Sequence, residues 1–263
     1  MAKQSSAAPL GIIFKGDNAD GNDKYKEELI RAGFRCHLVP VLSFYYCNAE
    51  MLMNILITPE KYSGIIFTSP RSVYAVRKAV ENFNADQRYY LLEKWEKLLT
   101  FVVGEATQAL AKTLLGLVPI GGHSGKADAL SSVITSVVAP NKKPLLFPCG
   151  NLTNETIPKT LSEATIAVES IVVYQTQPNC CLRETLQYIL FKEGKPDFMV
   201  YFSPSGVKYA LPLLREIDFP IDKCKFIAIG TSTGDAMVKM GLEVAAIAMH
   251  PTPEYLAQAI MNL

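Results

Sequence analysis

The chain has 263 residues, 49% of them hydrophobic and 19% charged, with a formal net charge of +1 at pH 7. Such a composition can bury a substantial core and argues against disorder. The near-zero charge removes the electrostatic case for nucleic acid or an anionic membrane as partner. An anionic small molecule stays open, because backbone N–H groups bind anions without formal charge.

Taken in chain order, residues 1–8 are small and polar and are expected to fray. MAKQSSAAPL lacks the apolar stretch of a secretory signal, and no run approaches the roughly 18 apolar residues of a membrane span. A cytoplasmic monomer is the expectation. Short apolar runs follow at 12–14, 65–67, 101–103, 145–147, 199–202 and 226–229. Most lead into helical patterns, and strands alternating with helices indicate a parallel sheet covered on both faces. After Pro70, residues Val73, Val76 and Val80 fall on one helical face, as do Val207, Ala210, Leu211 and Leu214 further on. Pro212 should kink that later helix or end its regular part near Leu211.

Two segments, VPVLSFYY at 39–46 and ESIVVYQT at 169–176, are β-rich and break the alternation. Strands so placed could pair and tether two domains. The predicted layout is a discontinuous α/β domain of residues 1–38 plus 177–263, linker strands 39–46 and 169–176, and an inserted α/β domain 47–168. Residues 81–100 read as a charged, amphipathic helical insertion that holds the single tryptophan, Trp95, as a packing anchor.

A long repeat supports two domains. GIIFTSPRSVYAV at 64–76 matches FMVYFSPSGVKYAL at 198–211, and FVVGEATQALAKTLLGL at 101–117 matches FIAIGTSTGDAMVKMGLEV at 226–244. PLLFPCGNL at 144–152 answers LGIIFKGDN at 10–18. Phe14 and Phe147 stand 133 residues apart, Phe67 and Phe202 stand 135 apart, and Gly104 and Gly230 stand 126 apart. These offsets, near half the chain, mark duplication of a domain; solenoid repeats run to roughly 20–50 residues.

The repeated strand ends carry the candidate chemistry. Thr68-Ser69-Pro70 and Ser203-Pro204-Ser205 open helices, where a hydroxyl cap followed by proline is a start signal. Capping alone accounts for one such motif. Two copies at equivalent positions favour a further role, since helix N-termini suit carboxylates and phosphates. Arg71 could fork onto a carboxylate or stand solvated. Gly104-Glu105-Ala106-Thr107 and Gly230-Thr231-Ser232-Thr233 form the second pair of loops. They fit neither a dinucleotide fingerprint nor a P-loop, so a nucleotide cofactor and an oxidoreductase are disfavoured. In doubly wound sheets ligands lie beyond the carboxyl ends of strands, where these loops belong. Tyr174 ends the second linker strand; its phenol could donate to a leaving group or serve as a packing partner.

Cysteines 36, 47, 149, 180, 181 and 224 form no CxxC pattern, and His37, His123 and His250 are scattered. No metal site or His-based relay is indicated. Cys149 has no activating histidine near it in sequence, so it is a poor nucleophile candidate. The adjacent Cys180 and Cys181 could be oxidised, but reduced thiols are the expectation for a cytosolic chain.

In order and spacing, PVLSF (40–44), IIFTSPRSV (65–73), VVGEAT (102–107), PLLFPCGNL (144–152), VYQT (173–176), YFSPSG (201–206), AIGTST (228–233) and PTPEYLA (251–257) resemble the animal-type uroporphyrinogen-III synthase family. The resemblance runs from about residue 10 through nearly the whole chain. It implies two flavodoxin-like parallel-sheet α/β domains joined by a two-stranded β-ladder. It also implies a lyase without cofactor or metal, acting on hydroxymethylbilane, a linear tetrapyrrole with eight carboxylates. The terminal hydroxyl would leave to give an azafulvene, a spiro intermediate would close, and the last ring would reopen inverted as uroporphyrinogen III. A transient hand-over from hydroxymethylbilane synthase is the partner step it suggests. Family positions lining the site match Ser69, Arg71, Thr107, Ser203, Ser205, Lys225, Ser232 and Thr233, with Tyr174 as the catalytic candidate. Thr231 departs from the proline that related chains often carry, and Pro212 departs too. The alternative is a non-catalytic two-domain module that binds a small anionic ligand, which the architecture alone permits.

Overall fold

The computed structural model describes residues 8–16, 23–217, 219–220 and 223–263. The expectation of fraying therefore falls, for residues 1–7, outside the described residues. In chain order the elements are β1 (Leu10–Lys15), α1 (Lys24–Arg31), β2 (Arg35–Pro40), β3 (Leu42–Tyr46), α2 (Ala49–Leu56), β4 (Gly64–Phe67), α3 (Pro70–Val80), α4 (Ala85–Glu96), β5 (Leu99–Val102), α5 (Glu105–Leu115), β6 (Pro119–Ile120), α6 (Ala127–Val137), β7 (Leu145–Gly150), α7 (Thr156–Glu163), β8 (Val168–Pro178), α8 (Leu182–Glu193), β9 (Phe198–Tyr201), α9 (Pro204–Glu216), β10 (Lys225–Ala228), α10 (Thr231–Lys239), β11 (Val244–Ile247) and α11 (Pro253–Met261).

These elements divide into two compact units, Met1–Ser43 with Gln177–Leu263, and Phe44–Thr176. The first unit holds a parallel sheet in the order β2-β1-β9-β10-β11. The second holds β8-β7-β4-β5-β6, also parallel, with β3 added outside β8. The 39–46 segment divides between the end of β2 and β3, and 169–176 lies inside β8. The helix α2 follows β3 after two residues, where the sequence pattern suggests no helix of the usual kind. It buries Leu52 and Leu56, one turn apart.

The repeat offsets become intelligible from this order. Counted from β1 in the first unit and from β7 in the second, both sheets read 2-1-3-4-5, the flavodoxin-like doubly wound arrangement. Thus β1 corresponds to β7, β4 to β9 and β5 to β10, as the paired phenylalanines and glycines require. The second unit is a circular permutation of the first: it begins at its third strand, because it is inserted after the first unit's second.

Both faces of each sheet are buried, which is why the strands read as continuous apolar runs. On β4, Ile65 and Phe67 enter one core while Ile66 enters the core on the other face. On β9, Met199 and Tyr201 face one side and Phe198 and Val200 the other. This alternation is the period of two of an extended strand. Fully burying each of these large side chains contributes about 1.5–3 kcal/mol. Trp95 on α4 is 2% exposed. Its indole N–H donates to the Leu56 carbonyl at 2.9 Å.

The structure corrects one of the two expectations for Pro212: α9 does not end near Leu211 but runs through Pro212 to Glu216. Pro212 and Lys208 both lie on the exposed face. The Lys208 carbonyl, deprived of its partner N–H four residues on, therefore points where water can serve it.

Candidate functional site

In a doubly wound sheet the ligand crevice opens where the strand order reverses. In the second unit that point lies between β4 and β7, and a pocket of about 230 Å³ is lined there by Thr68, Ser69, Phe147, Thr153, Asn154 and Tyr174. Ser69 is the N-cap of α3, and its Oγ accepts from the Arg71 backbone N–H at 3.2 Å. Capping thus occupies part of the hydroxyl's capacity; Pro70 carries no N–H and the Ser72 N–H donates to the Ser69 carbonyl at 3.1 Å, so this helix end offers an anion its side chains and its dipole.

Tyr174 is fixed by the end of β7. Gly150 is its register partner, at a shift between Cys149 and Gly150. The Asn151 backbone N–H donates to the Tyr174 carbonyl at 3.1 Å, and the Asn151 side chain accepts from the Thr176 N–H at 2.8 Å. The Gly150 N–H donates to the Thr153 hydroxyl at 3.1 Å, which folds the following loop back over the pocket. Cys149 is buried at this strand end, and burial pushes its thiol up, with the Thr153 hydrogen bond opposing. A thiol held protonated is a poor nucleophile.

Beside this pocket, α3 presents its cations to the aromatic rings of β3. The Arg71 guanidinium sits 3.3 Å from the Phe44 ring centroid, and the Lys78 ammonium sits 4.1 Å from that of Tyr46. Burial pushes the Tyr46 phenol up, Arg71 opposes, and Tyr74 and Tyr174 add to the rise. Arg71 and Tyr174 are therefore electrostatic neighbours of one residue.

The first unit repeats the plan at its own reversal, between β1 and β9. Ser203 caps α9, accepting from the Gly206 N–H at 3.1 Å, and its hydroxyl lies 2.9 Å from that of Ser205. Lys15 at the end of β1 pairs with the buried carboxylate of Asp23, the N-cap of α1. Its ammonium also lies 5.1 Å from the Tyr25 ring and 5.6 Å from the Phe202 ring. Lys15 and Asp23 were not singled out by sequence reasoning, and Phe202 entered it only as a marker of the repeat. The run of strand followed by lysine at 10–15 was the signal available.

The loops after β5 and β10 differ. Gly104 adopts φ 83°, a conformation that favours glycine, whereas Gly230 is extended at φ −172°. Space beside both is open, with nothing within 4 Å of an added Cβ. Ser232 is exposed in the first turn of α10, and Thr231 is its first residue, a position that tolerates proline. Thr107 and Thr233 are each 2% exposed and face the core. Helical spacing signals this: Thr107, Ala111 and Leu115 are buried at intervals of four, as are Thr233 and Met237. Lys225 opens β10, at the end of the strand opposite the loops, and its ammonium donates to the Leu263 carbonyl at 2.7 Å. Of the ten candidates, Thr68, Ser69, Arg71 and Tyr174 in the second unit and Ser203, Ser205 and Ser232 in the first stand at carboxyl-end loops or the neighbouring strand of their own unit, and Lys225 does not. No group of three or more His, Cys, Asp or Glu side chains suited to a metal occurs among the described residues.

Fold and site define a pair of doubly wound α/β units whose strand ends present hydroxyls and helix N-termini. Residues 23–258 match the family model described as Uroporphyrinogen-III synthase HemD, and the chain belongs to that family. It is 28% identical over 242 residues to the uroporphyrinogen-III synthase of Schizosaccharomyces pombe, covering 91% of each chain. It is 25% identical to that of Saccharomyces cerevisiae, covering 97% of each. Among solved structures, the uroporphyrinogen-III synthetase of Helicobacter pylori aligns at a TM-score of 0.60 and 15% identity, covering 97% of this chain and 99% of that one. A mutant uroporphyrinogen III synthase of Thermus thermophilus aligns at 0.58 and 15%, covering 97% and 100%. The two structures support the fold. Family membership makes the chain a cyclising lyase of tetrapyrrole biosynthesis, in a family that acts on hydroxymethylbilane.

Proposed function

We propose that the chain removes the terminal hydroxyl of hydroxymethylbilane and closes the macrocycle with inversion of the last ring, giving uroporphyrinogen III. The observation that supports this most is the pocket joining Tyr174 to the capped start of α3. At about 230 Å³ it is smaller than the roughly 300–1,000 Å³ of a site that encloses a drug-sized ligand. It suits one substituted pyrrole ring, with the rest of the substrate held elsewhere.

In this reading the Tyr174 O–H donates to the departing hydroxyl as the C–O bond breaks and the ring nitrogen supplies its electron pair, and the phenolate is restored by the proton that the ring N–H gives up in forming the azafulvene. Water leaves, and the azafulvene carbon is attacked within the same molecule. The first turn of α3, with Thr68, Ser69 and Arg71, holds carboxylates of the ring that must be placed. Ser203, Ser205 and Ser232 offer the equivalent grip in the other unit, while Thr107 and Thr233 support the loops from the core side. The substrate closes by itself, so the protein's task is to favour one geometry over a competing intramolecular one, and positioning alone can supply several kcal/mol. The same instability makes a transient hand-over from hydroxymethylbilane synthase the supply step we favour. Among the described residues no helix is long and apolar enough to cross a membrane; the cytoplasm is the compartment we propose for the reaction.

The test is to supply freshly made hydroxymethylbilane, oxidise the products and resolve the porphyrin isomers. The type III isomer is expected to dominate. A pure type I profile would reject the synthase reading and return the chain to the class of anion-binding modules.

A further inference from the structure

The cysteines divide sharply by environment. Cys36 and Cys149 are buried and Cys47 and Cys224 half-buried, whereas Cys180 and Cys181 are both exposed. The last two are adjacent in sequence and their sulfurs lie 3.7 Å apart. They sit in a braced turn. The Asn179 backbone N–H donates to the Val41 carbonyl at 3.1 Å, and its side chain donates to the Pro40 carbonyl at 2.7 Å. The same side chain accepts from the Cys181 N–H at 3.1 Å. Leu182, buried at 2% exposure, then begins α8, for which Cys181 is the N-cap. The turn is thus anchored on both sides, and the two thiols project from it together.

Geometry decides between two fates for such a pair. A disulfide usually spans Cα atoms about 4.4–6.8 Å apart. Neighbouring residues across a trans peptide are held at about 3.8 Å, so closing an S–S bond here stores strain. Two thiolates sharing one centre at about 2.3 Å lie about 3.3–3.8 Å apart for bond angles between about 90° and 109°. The observed 3.7 Å meets that requirement with no change of backbone. A closed zinc site needs four ligands, and no third His, Cys, Asp or Glu completes a cluster among the described residues. Soft centres content with two thiolates are the ones that remain.

We propose that Cys180 and Cys181 form a dithiol site for a trivalent, thiophilic metalloid of the arsenic type, which takes two thiolate ligands at a bent angle. The Cys180 sulfur pushes the Cys181 thiol up. A centre that replaces both protons removes the repulsion that a second thiolate would otherwise meet. With phenylarsine oxide as the probe, two As–S bonds form in place of the As–O bonding. The oxide oxygen leaves as water with the two thiol protons, and arsenic stays trivalent, so nothing is oxidised or reduced.

The experiment uses the reduced full chain. Phenylarsine oxide is titrated in and followed by intact-protein mass spectrometry, with a challenge by excess glutathione and then by 2,3-dimercaptopropanol. One phenylarsenic group per chain is expected to resist the monothiol and yield to the dithiol. Because the second ligand binds intramolecularly, Cys180→Ser and Cys181→Ser should each weaken retention about 100-fold or more. Melting followed by circular dichroism checks that both variants are folded. If the Cys180→Ser/Cys181→Ser double variant retains the group as firmly as the unsubstituted chain, or if glutathione strips the unsubstituted chain, the proposal is overturned.

Discussion

A Cβ atom added to Gly150 would lie 2.6 Å from Cζ of Tyr174, closer than real Cβ contacts allow. The glycine is there because the Tyr174 ring crosses over it. Gly150→Ala should therefore leave the backbone in place and push the phenol aside, since the clashing atoms are the far end of a side chain. Over-packing of this kind costs about 1–3 kcal/mol. The expected outcome is a folded protein with reduced turnover, read from its melting curve together with the yield of type III isomer.

Tyr174→Phe removes the proposed donor and keeps the ring. A positioned acid contributes about 10²–10⁴-fold to a rate. We expect kcat to fall by at least about 100-fold with KM little changed. Full turnover with unchanged type III selectivity would end any essential role for the hydroxyl.

Tyr201 is wholly buried, stacked at 4.7 Å on Phe14, and its hydroxyl has no hydrogen-bond partner among the described residues. A buried unsatisfied polar group costs about 1–3 kcal/mol. Tyr201→Phe should consequently stabilise the protein by about 1 kcal/mol, after allowance for the small void left. Urea unfolding of the two proteins measures the difference, and a clear loss of stability would contradict the assignment.

Alkaline pH should unfold the chain through its inner thiols. Burial pushes Cys36 up from 9.0 to about 11, with Lys26 opposing, and Cys224 from 9.0 to about 12, with Lys195 opposing. Both groups keep protons in the folded state that the unfolded chain releases. Their contribution is whole below pH 9 and is lost as pH rises, ending near 11 for Cys36 and near 12 for Cys224. Each thiol adds a slope of about −1.4 kcal/mol per pH unit within its window. Denaturant titrations between pH 8 and about pH 11 should show this fall. The Cys36→Ala/Cys224→Ala variant should flatten it.

Much of the architecture was legible because strands buried on both faces announce themselves as apolar runs, and Ser-Pro starts mark helices. The pairs Phe14 with Phe147 and Phe67 with Phe202 located the duplication. They did not reveal the permutation, since offsets alone do not say which strand lies beside which. The expected end near Leu211 does not occur, for a local reason: the Pro212 face of α9 is solvated, so a missing hydrogen bond there is cheap. Thr107 and Thr233 look like loop hydroxyls in the motif, yet helical phase turns them inward.

The sequence by itself determined the alternation of strands and helices, the twofold repeat, the family, and the residue types at the strand ends. Each of these rests on short-range pattern or on order along the chain. Only the tertiary structure decided which of those residues meet. Gly150 and Tyr174 are joined by the register of β7 on β8, and Lys15 reaches Phe202 because β1 lies beside β9. Lys225 is separated from Ser232 by the length of β10, although they are only seven positions apart in number. Register and strand direction are set by packing of the whole sheet, and no local run of residues encodes them.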